Sequence, residues 1–98
     1  MNRIYGDSGN DTIYGGPDRD MMYGGTGDDI MRGGEMPDHV NGDDGNDTLY
    51  GEGAAHDSVD GGNGNDYVSG GDGTFDFCNG GSGSDRAGSG CETITSVP

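Results

Sequence analysis

The stretch that decides the fold is Gly24-Gly25-Thr26-Gly27-Asp28-Asp29-Ile30-Met31-Arg32, because its pattern returns along nearly the whole chain. Each unit starts with glycine, and an aspartate follows five residues later, or six in two longer units. An apolar or small residue comes two positions after that aspartate. The nine aspartates are Asp11, Asp20, Asp29, Asp38, Asp47, Asp57, Asp66, Asp76 and Asp85. Random acidic sequence does not hold three positions in phase through nine units, so the chain is a repeat protein.

Each unit combines a glycine-rich turn with a short strand. Glycine supplies the positive φ angles and close backbone approach of a tight turn. The last three residues of a unit carry strand-forming side chains, as in 12–14 and 48–50. Alternate side chains of a strand face opposite ways, so each three-residue strand points its central residue inward. One such unit cannot bury itself, whereas stacked units can, and the sequence therefore predicts a solenoid.

The composition excludes several classes of protein. The 98 residues include 24 glycines, only 27% are hydrophobic, and there is no tryptophan, which disfavours an enzyme with a conventional core. Nineteen acidic residues against four arginines give a net charge of −15, which argues against binding to nucleic acid or to an anionic membrane. No apolar run is long enough to span a bilayer. No signal peptide is visible, and we suspect that Met1 begins a fragment.

The units resemble the nonapeptide G-G-x-G-x-D-x-U-x of RTX (repeats-in-toxin) proteins. Residues 24–32 and 61–69 fit at every specified position, and the resemblance covers roughly residues 2–88. It implies an all-β fold: a right-handed parallel β-roll, or β-solenoid, of about five 18-residue turns, with two short-stranded sheets and calcium-binding loops at both edges. We expect residues 1–88 to form this roll and residues 89–98 to form a C-terminal cap.

Two units per turn would place alternate loops on one edge of the roll. We call the edge formed by loops 6–11, 24–29, 42–47, 61–66 and 80–85 the first edge, and the edge formed by loops 15–20, 33–38, 51–57 and 70–76 the second edge. The same stacking predicts one inward column of Ile13, Met31, Leu49, Val68 and Ala87, and another of Ile4, Met22, Val40, Val59 and Cys78.

The resemblance implies that Asp carboxylates and loop carbonyls bind calcium between successive turns. Calcium prefers six to eight oxygen ligands, and nitrogen or sulfur ligands for other metals are scarce here. The expected carboxylate ligands are the nine aspartates of the repeat. The expected carbonyl ligands are those of Gly6, Ser8, Asn10, Gly24, Thr26, Asp28, Gly42, Asp44, Asn46, Gly61, Asn63 and Asn65. About four ions are expected along the first edge and up to about seven in total.

The two edges differ in quality. All five first-edge loops have glycine at the fourth position, whereas three of the four second-edge loops lack it and two carry an extra residue, around Ala54-Ala55 and Thr74-Phe75. Positive φ at this position would be costly for Met36 and less so for Asp18. The second-edge sites are therefore expected to be either empty or altered but occupied, with Asp20, Asp38, Asp57 and Asp76 as their remaining ligands.

The only two cysteines lie near the C-terminal end of the repeat. Cys78 is at an inward position, and one further turn of the roll brings the chain past it near Cys91. The favoured interpretation is a Cys78–Cys91 disulfide, and the alternative is two buried free thiols. A disulfide would close the exposed end of the solenoid and indicates an oxidising, extracellular setting.

These features favour a calcium-binding structural module of a secreted protein, which folds when it meets extracellular calcium. The chain is not expected to be an enzyme, to insert into membranes or to bind nucleic acid, and is expected to be a monomer. The alternatives are an adhesive or ligand-binding repeat region of a larger exoprotein or toxin, and the non-catalytic C-terminal part of a secreted hydrolase. The sequence identifies no protein or glycan partner.

Overall fold

The computed structural model describes residues 2–53, 56–71, 76–88, 91 and 93–95, and within them the chain is all-β. Each loop of the repeat is followed by a strand of two to four residues. The strands are β1 (Asn2–Tyr5), β2 (Thr12–Tyr14), β3 (Asp20–Tyr23), β4 (Ile30–Arg32), β5 (His39–Asn41), β6 (Thr48–Tyr50), β7 (Ser58–Asp60), β8 (Tyr67–Ser69), β9 (Phe77–Asn79), β10 (Arg86–Ala87) and β11 (Thr93–Thr95).

Successive strands alternate between two parallel sheets. One sheet has the order β1-β3-β5-β7-β9-β11, and the other has the order β10-β8-β6-β4-β2. Paired residues are 18 or 19 positions apart from β1 to β10, where Met31 pairs with Leu49 and Leu49 with Val68, and 16 apart between β9 and β11. Two repeat units therefore make one turn, and the extra residue of a longer unit stays in its loop, leaving the strand register unchanged. This β-solenoid is the β-roll predicted from the sequence.

The core lies between the two sheets and consists of one side chain from each of the strands β1 to β10. Both predicted columns are confirmed by the register, with Ile13 paired to Met31 in one sheet and Ile4 to Met22 in the other. The buried hydrophobic residues are Ile13, Met22, Met31, Val40, Leu49, Val59, Val68 and Cys78, while Ile4, Ala87 and Cys91 pack against them partly buried. Since no column is wider than one side chain, the hydrophobic core is thin.

A disulfide lies near the C-terminal end of the roll. Cys78 of β9 and Cys91 form a disulfide with a Cα–Cα distance of 5.7 Å, as the sequence predicts. Thr93–Thr95 then continues the sheet beyond β9, and Ile94 pairs with Cys78. The disulfide thus ties the last strands of this sheet together, and closing a loop of this size contributes about 3 kcal/mol in the chain-entropy estimate.

Candidate calcium sites

The recurring feature of the site is an aspartate at the start of the strand, one in each repeat unit. Eight of the nine are no more than 7% exposed: Asp20, Asp29, Asp38, Asp47, Asp57, Asp66, Asp76 and Asp85. Asp11, in the first described loop, is half-buried. Charged carboxylates are costly to bury unless a donor or a cation accompanies them. The donors or cations that accompany these carboxylates therefore determine the chemistry of the site.

One oxygen of these carboxylates bonds to the neighbouring turn. On the first edge, the Asp11 amide donates to Asp29 Oδ1 at 2.7 Å, and the series continues through Asp47 and Asp66 to Asp85 at 2.8 Å. On the second edge, the series runs from Asp20 through Asp38 and Asp57 to Asp76 at 2.8 to 3.0 Å. Seven of the nine aspartates, all except Asp11 and Asp20, thus tie their loops to the preceding turn through a charge-assisted hydrogen bond.

The second oxygen has no such partner. The Oδ2 atoms of Asp29, Asp38, Asp47, Asp57 and Asp66 are buried and accept no hydrogen bond, and the same holds for Asp11, Asp20 and Asp85. A buried oxygen without a donor costs on the order of 1–3 kcal/mol, and more if it is charged. Eight such oxygens in two rows are therefore suited to bind a proton or a cation.

The first glycine of each loop makes room for this oxygen. A Cβ on Gly42 would lie 2.5 Å from Asp47 Oδ2 and 2.9 Å from the carbonyl oxygen of Gly61 in the next turn. At Gly15 on the second edge the corresponding distances are 2.5 Å to Asp20 Oδ2 and 2.7 Å to the Gly33 carbonyl oxygen. A carboxylate and a carbonyl oxygen therefore converge beside the same glycine on both edges. Two acceptors brought together without a donor suit a hard cation such as calcium.

Burial also changes the acidity of these carboxyl groups. Desolvation raises the pKa of Asp38, Asp47 and Asp57 from 3.8 to about 7 and that of Asp66 to about 6, against the lowering effect of the backbone N–H donor. Desolvation also raises the pKa of Asp29. Neighbouring aspartates raise the pKa further, because like charges disfavour ionisation. The charged form of these groups is therefore poorly compensated by the protein alone.

The first-edge loops share one backbone conformation. Their second and fourth residues all have positive φ, from Asp7 at 69° and Gly9 at 98° to Gly81 at 82° and Gly83 at 109°. Position four must be glycine for space as well, because a Cβ on Gly27 or Gly45 would collide with the carbonyl oxygen of the preceding turn. The regular glycine spacing of this edge therefore produces a regular stack of loops.

An outer row of side chains also connects the first-edge loops. Asn10 Oδ1 accepts the Asp28 amide, Asp28 Oδ1 accepts the Asn46 amide, and the row continues through Asn65 to Ser84, each bond being 2.8 Å. This row was not predicted: these residues were considered only for their carbonyl groups. The recurrence of Asn, Asp or Ser at the fifth position of all five loops was the signal that could have revealed it.

The predicted carbonyl ligands lie on this same stack of loops. The first-position carbonyls of Gly24, Gly42 and Gly61 face the buried carboxylates, as the convergence beside the glycines requires. The Asn63 carbonyl instead accepts the Gly45 amide at 3.1 Å. Calcium ligation by Asn63 would therefore share or replace that hydrogen bond. The full ligand assignment stays a prediction, with Gly6, Ser8, Asn10, Thr26, Asp28, Asp44, Asn46 and Asn65 as its remaining members.

The second-edge loops follow different paths from one another. Met36 adopts φ 70°, a costly conformation for its side chain, whereas Asp18 does not have positive φ. Glu52 and His56 adopt 68° and 69° within the longer loop 51–57. The inserted residues Ala54-Ala55 and Thr74-Phe75 lie outside the described residues. The aspartate row is thus common to both edges, while the loop geometry is regular only on the first.

Side chains alone do not make a metal centre here. Within the part of the chain that the structure describes, no three His, Cys, Asp or Glu side chains cluster as a metal-binding group. Calcium ligation would therefore rest on carboxylates from successive turns together with loop carbonyls. The buried Oδ2 atoms and the convergence of oxygens beside the first glycines fit such an ion. No helix among the described residues is long and apolar enough to cross a membrane.

Comparison with known proteins agrees with this geometry. The family model of the RTX calcium-binding nonapeptide repeat, which comprises four copies of the repeat, matches residues 1–31, 23–55 and 53–87. These matches span both edges of the roll and nearly all of its strands. No curated protein and no solved structure gives a significant match.

Proposed function

Because the chain belongs to the RTX calcium-binding nonapeptide repeat family, we propose that it is a secreted structural module that folds when it binds extracellular calcium. The observation that carries this proposal is the pair of rows of buried Oδ2 atoms without donors. These atoms make the folded chain unfavourable by itself and favourable once a cation is bound. The proposed role is structural and not catalytic.

The charge of the chain supports the same conclusion. The formal net charge is −15, and much of it is stacked at short spacing along two rows. Four calcium ions would change it to −7, and seven would change it to −1. Self-repulsion opposes a compact state, so ions that bind only the folded chain stabilise it. The thin core, with eight buried hydrophobic residues, offers little to oppose that repulsion.

We propose that the ions lie between successive loops of each edge. The five first-edge loops leave four gaps, and the four second-edge loops leave three. The ligands would be the nine aspartates together with first-, third- and fifth-position carbonyls of the first-edge loops. Ions in a row would follow the turn spacing of about 4.8 Å. Extracellular modules of this kind bind calcium with dissociation constants of roughly 10⁻⁴–10⁻³ M.

The disulfide supports a secreted location. Disulfides persist in oxidising compartments and are rare in the cytosol. The Cys78–Cys91 bond closes the C-terminal end of the roll, where a solenoid would otherwise expose its last inward residues. In an unfolded, calcium-free chain the same bond would still restrain this end and favour refolding there.

Circular dichroism of the chelator-treated protein during a calcium titration tests the proposal. The chain should be largely disordered without calcium and become β-rich cooperatively as calcium is added. Magnesium at matched ionic strength is the control, because it screens charge but prefers a rigid octahedral shell with several waters. A protein fully folded in excess chelator, or folded equally by magnesium, would contradict the proposal.

A further inference from the structure

A groove on the outside of the roll is separate from the aspartate rows. It has a volume of about 440 Å³ and lies between the outer face of the β2-β4-β6-β8-β10 sheet and the second-edge loops. Tyr14, Tyr50 and Tyr67 line its sheet side, and Glu35 and Glu52 line its loop side. Its size is that of a small-molecule site, and its walls combine aromatic faces with carboxylates.

The three tyrosines line the groove, and two of them contact each other. Tyr50 and Tyr67 are edge-to-face with ring centroids 6.0 Å apart, and Tyr14 is 63% exposed. Arg32, which pairs in register with Tyr14 and Tyr50, has its guanidinium 5.2 Å from the Tyr50 ring centroid. The margin of the groove therefore already holds one organic cation against a tyrosine face. The face of an aromatic ring is electron-rich, which makes this contact attractive.

The carboxylates leave the groove short of positive charge. Glu52 forms an ion pair with Arg32 at 3.3 Å. Glu35 is exposed and has no ion-pair partner among the described residues. The two glutamates thus face one arginine, on a chain with a formal charge of −15. The local and the overall charge both attract a cationic ligand.

The backbone of Glu52, in the loop wall of the groove, adopts a conformation that favours glycine. Glu52 has a φ of 68°, whereas the second residues of the other second-edge loops are Gly16, Gly34 and Gly71, with φ of 98°, 93° and 77°. Glycine adopts this conformation freely and glutamate does not. A residue held in unfavourable backbone geometry beside a cleft is a reason to look for a function of its side chain.

We propose that this groove binds an organic cation through an ammonium group, held by the tyrosine faces and the two glutamates. A quaternary or primary ammonium would take the place of the Arg32 guanidinium on the face of Tyr50, beside Glu52, while Glu35 supplies a second carboxylate. Recognition of such cations by aromatic side chains and carboxylates is a known use of cation–π attraction. The site uses side chains of the outer sheet face and the second-edge loops, so it goes beyond the proposed calcium-dependent folding.

Binding is tested with choline against its neutral isostere 3,3-dimethylbutan-1-ol, at fixed saturating calcium, by the shifts of the tyrosine ring resonances. Circular dichroism in the same sample verifies that the roll is folded, so a failure here is distinct from a failure of calcium-dependent folding. Choline should shift the tyrosine resonances at millimolar concentration and bind at least tenfold more tightly than the isostere. Equal binding of the two, or no binding by a folded roll, would overturn the proposal. Binding of a neutral disaccharide in preference to choline would overturn it as well.

Variants separate the groove from the fold. Tyr50→Leu removes the aromatic face but keeps an apolar side chain, and should weaken choline binding about tenfold while leaving binding of the neutral isostere unchanged. Glu52→Gly should also weaken choline binding, yet without lowering the thermal midpoint, because glycine fits the backbone. Tyr5→Leu is the matched control, since Tyr5 stacks on Tyr23 of the opposite sheet at a centroid distance of 5.1 Å. An equal loss of choline binding in Tyr5→Leu would contradict the assignment.

Discussion

The two edges of the roll carry the same aspartate row on different loops. After the first aspartate of each row, Oδ1 accepts the amide of the neighbouring turn, at 2.7–2.8 Å on the first edge and 2.8–3.0 Å on the second. The loops before these aspartates repeat one conformation on the first edge and not on the second. The strand register therefore fixes where each carboxylate lies. The local sequence of each loop fixes where its carbonyl groups lie.

The outer row of side chains shows why the edges differ. On the first edge, residues such as Asn10 and Asn46 each accept the amide of the next loop. The corresponding residues of the second edge include Arg19, which has no acceptor in its side chain, and Pro37, which has no amide hydrogen. The second edge therefore lacks the chemistry for such a row at these positions, and its loops are free to follow separate paths.

The largest expected effect is the loss of a central first-edge aspartate. Asp47→Ala removes a carboxylate shared by two proposed sites and should lower the free energy of unfolding by about 5 kcal/mol, if each site contributes about 2.7 kcal/mol at free calcium one hundred times Kd. Asp38→Ala on the second edge should cost about 3 kcal/mol, because weaker sites are less saturated. Urea unfolding at fixed calcium measures both. His39→Ala is the control, with a change below about 0.5 kcal/mol. Equal losses in the two aspartate variants would show that the edges are equivalent.

Calcium stoichiometry should divide in the same way. Calorimetry of the intact chain is expected to resolve a tighter class of about four sites and a weaker class of about three. Asp38→Ala should reduce the number of weaker sites and leave the tighter class intact, since its carboxylate serves only the second edge. A single class of about seven equal sites would refute the distinction between edges. So would loss of tight sites in Asp38→Ala.

Acid should protonate the buried aspartates of both edges alike, whereas calcium is expected to bind the two edges with different affinities. In the calcium-free chain, burial raises the pKa of Asp38 and Asp57 on one edge and Asp47 on the other to about 7, above the ordinary value of 3.8. The folded state then binds more protons than the unfolded state between these pH values, so its stability falls as pH rises through this window. Without calcium, circular dichroism should show more β-structure at pH 5 than at pH 7.5.

Saturating calcium should reverse that pH dependence. Calcium requires the ionised carboxylate, so protons compete with it and acid weakens binding. In calcium, the free energy of unfolding should therefore rise between pH 5 and pH 7.5. Calcium-free β-structure that is independent of pH would contradict the uncompensated burial of these aspartates.

The outer row should contribute a smaller difference between the edges. Asn46→Ala removes the acceptor for the Asn65 amide and should lower the free energy of unfolding by about 1 kcal/mol. Arg19→Ala, at the same loop position on the second edge, should change it by less than about 0.5 kcal/mol. Thermal unfolding at fixed calcium compares the two. A larger effect at Arg19 than at Asn46 would count against the role of the row.

The smallest effect has the opposite sign. Met36→Gly should raise the free energy of unfolding by about 1 kcal/mol, because it relieves a side chain held at φ 70°. The first-edge counterpart is Gly9→Ala, which meets no atom within 4 Å and so adds strain alone at φ 98°. It should lower stability by a similar amount. Destabilisation by Met36→Gly would mean that the Met36 side chain makes contacts that outweigh its backbone strain.

Much of the fold was predictable because the repeat period is a local property of the sequence. The spacing of Gly24, Asp29 and Met31 recurs through the chain, and it identified the nine repeat aspartates and, together with the RTX resemblance, the inward columns and the two edges. The position of Cys78 in an inward column favoured the disulfide with Cys91, with free thiols as the alternative. These inferences need only the alternation of a strand, the need of a solenoid to stack and, for two units in each turn, the RTX resemblance.

Tertiary structure decided what depends on residues 18 or 19 positions apart. The hydrogen bonds from seven of the aspartates to the preceding turn exist only once turns are stacked in register. The same is true of the buried Oδ2 atoms without donors and of the outer row of side chains. The backbone conformations of Asp18 and Glu52 likewise depend on tertiary structure, because each loop must connect strands whose positions are fixed by the stack. The tyrosine groove also requires the stack, because it joins side chains of separate turns to the irregular second-edge loops. Sequence determined the repeating unit, and contacts between units determined the partners of its polar atoms.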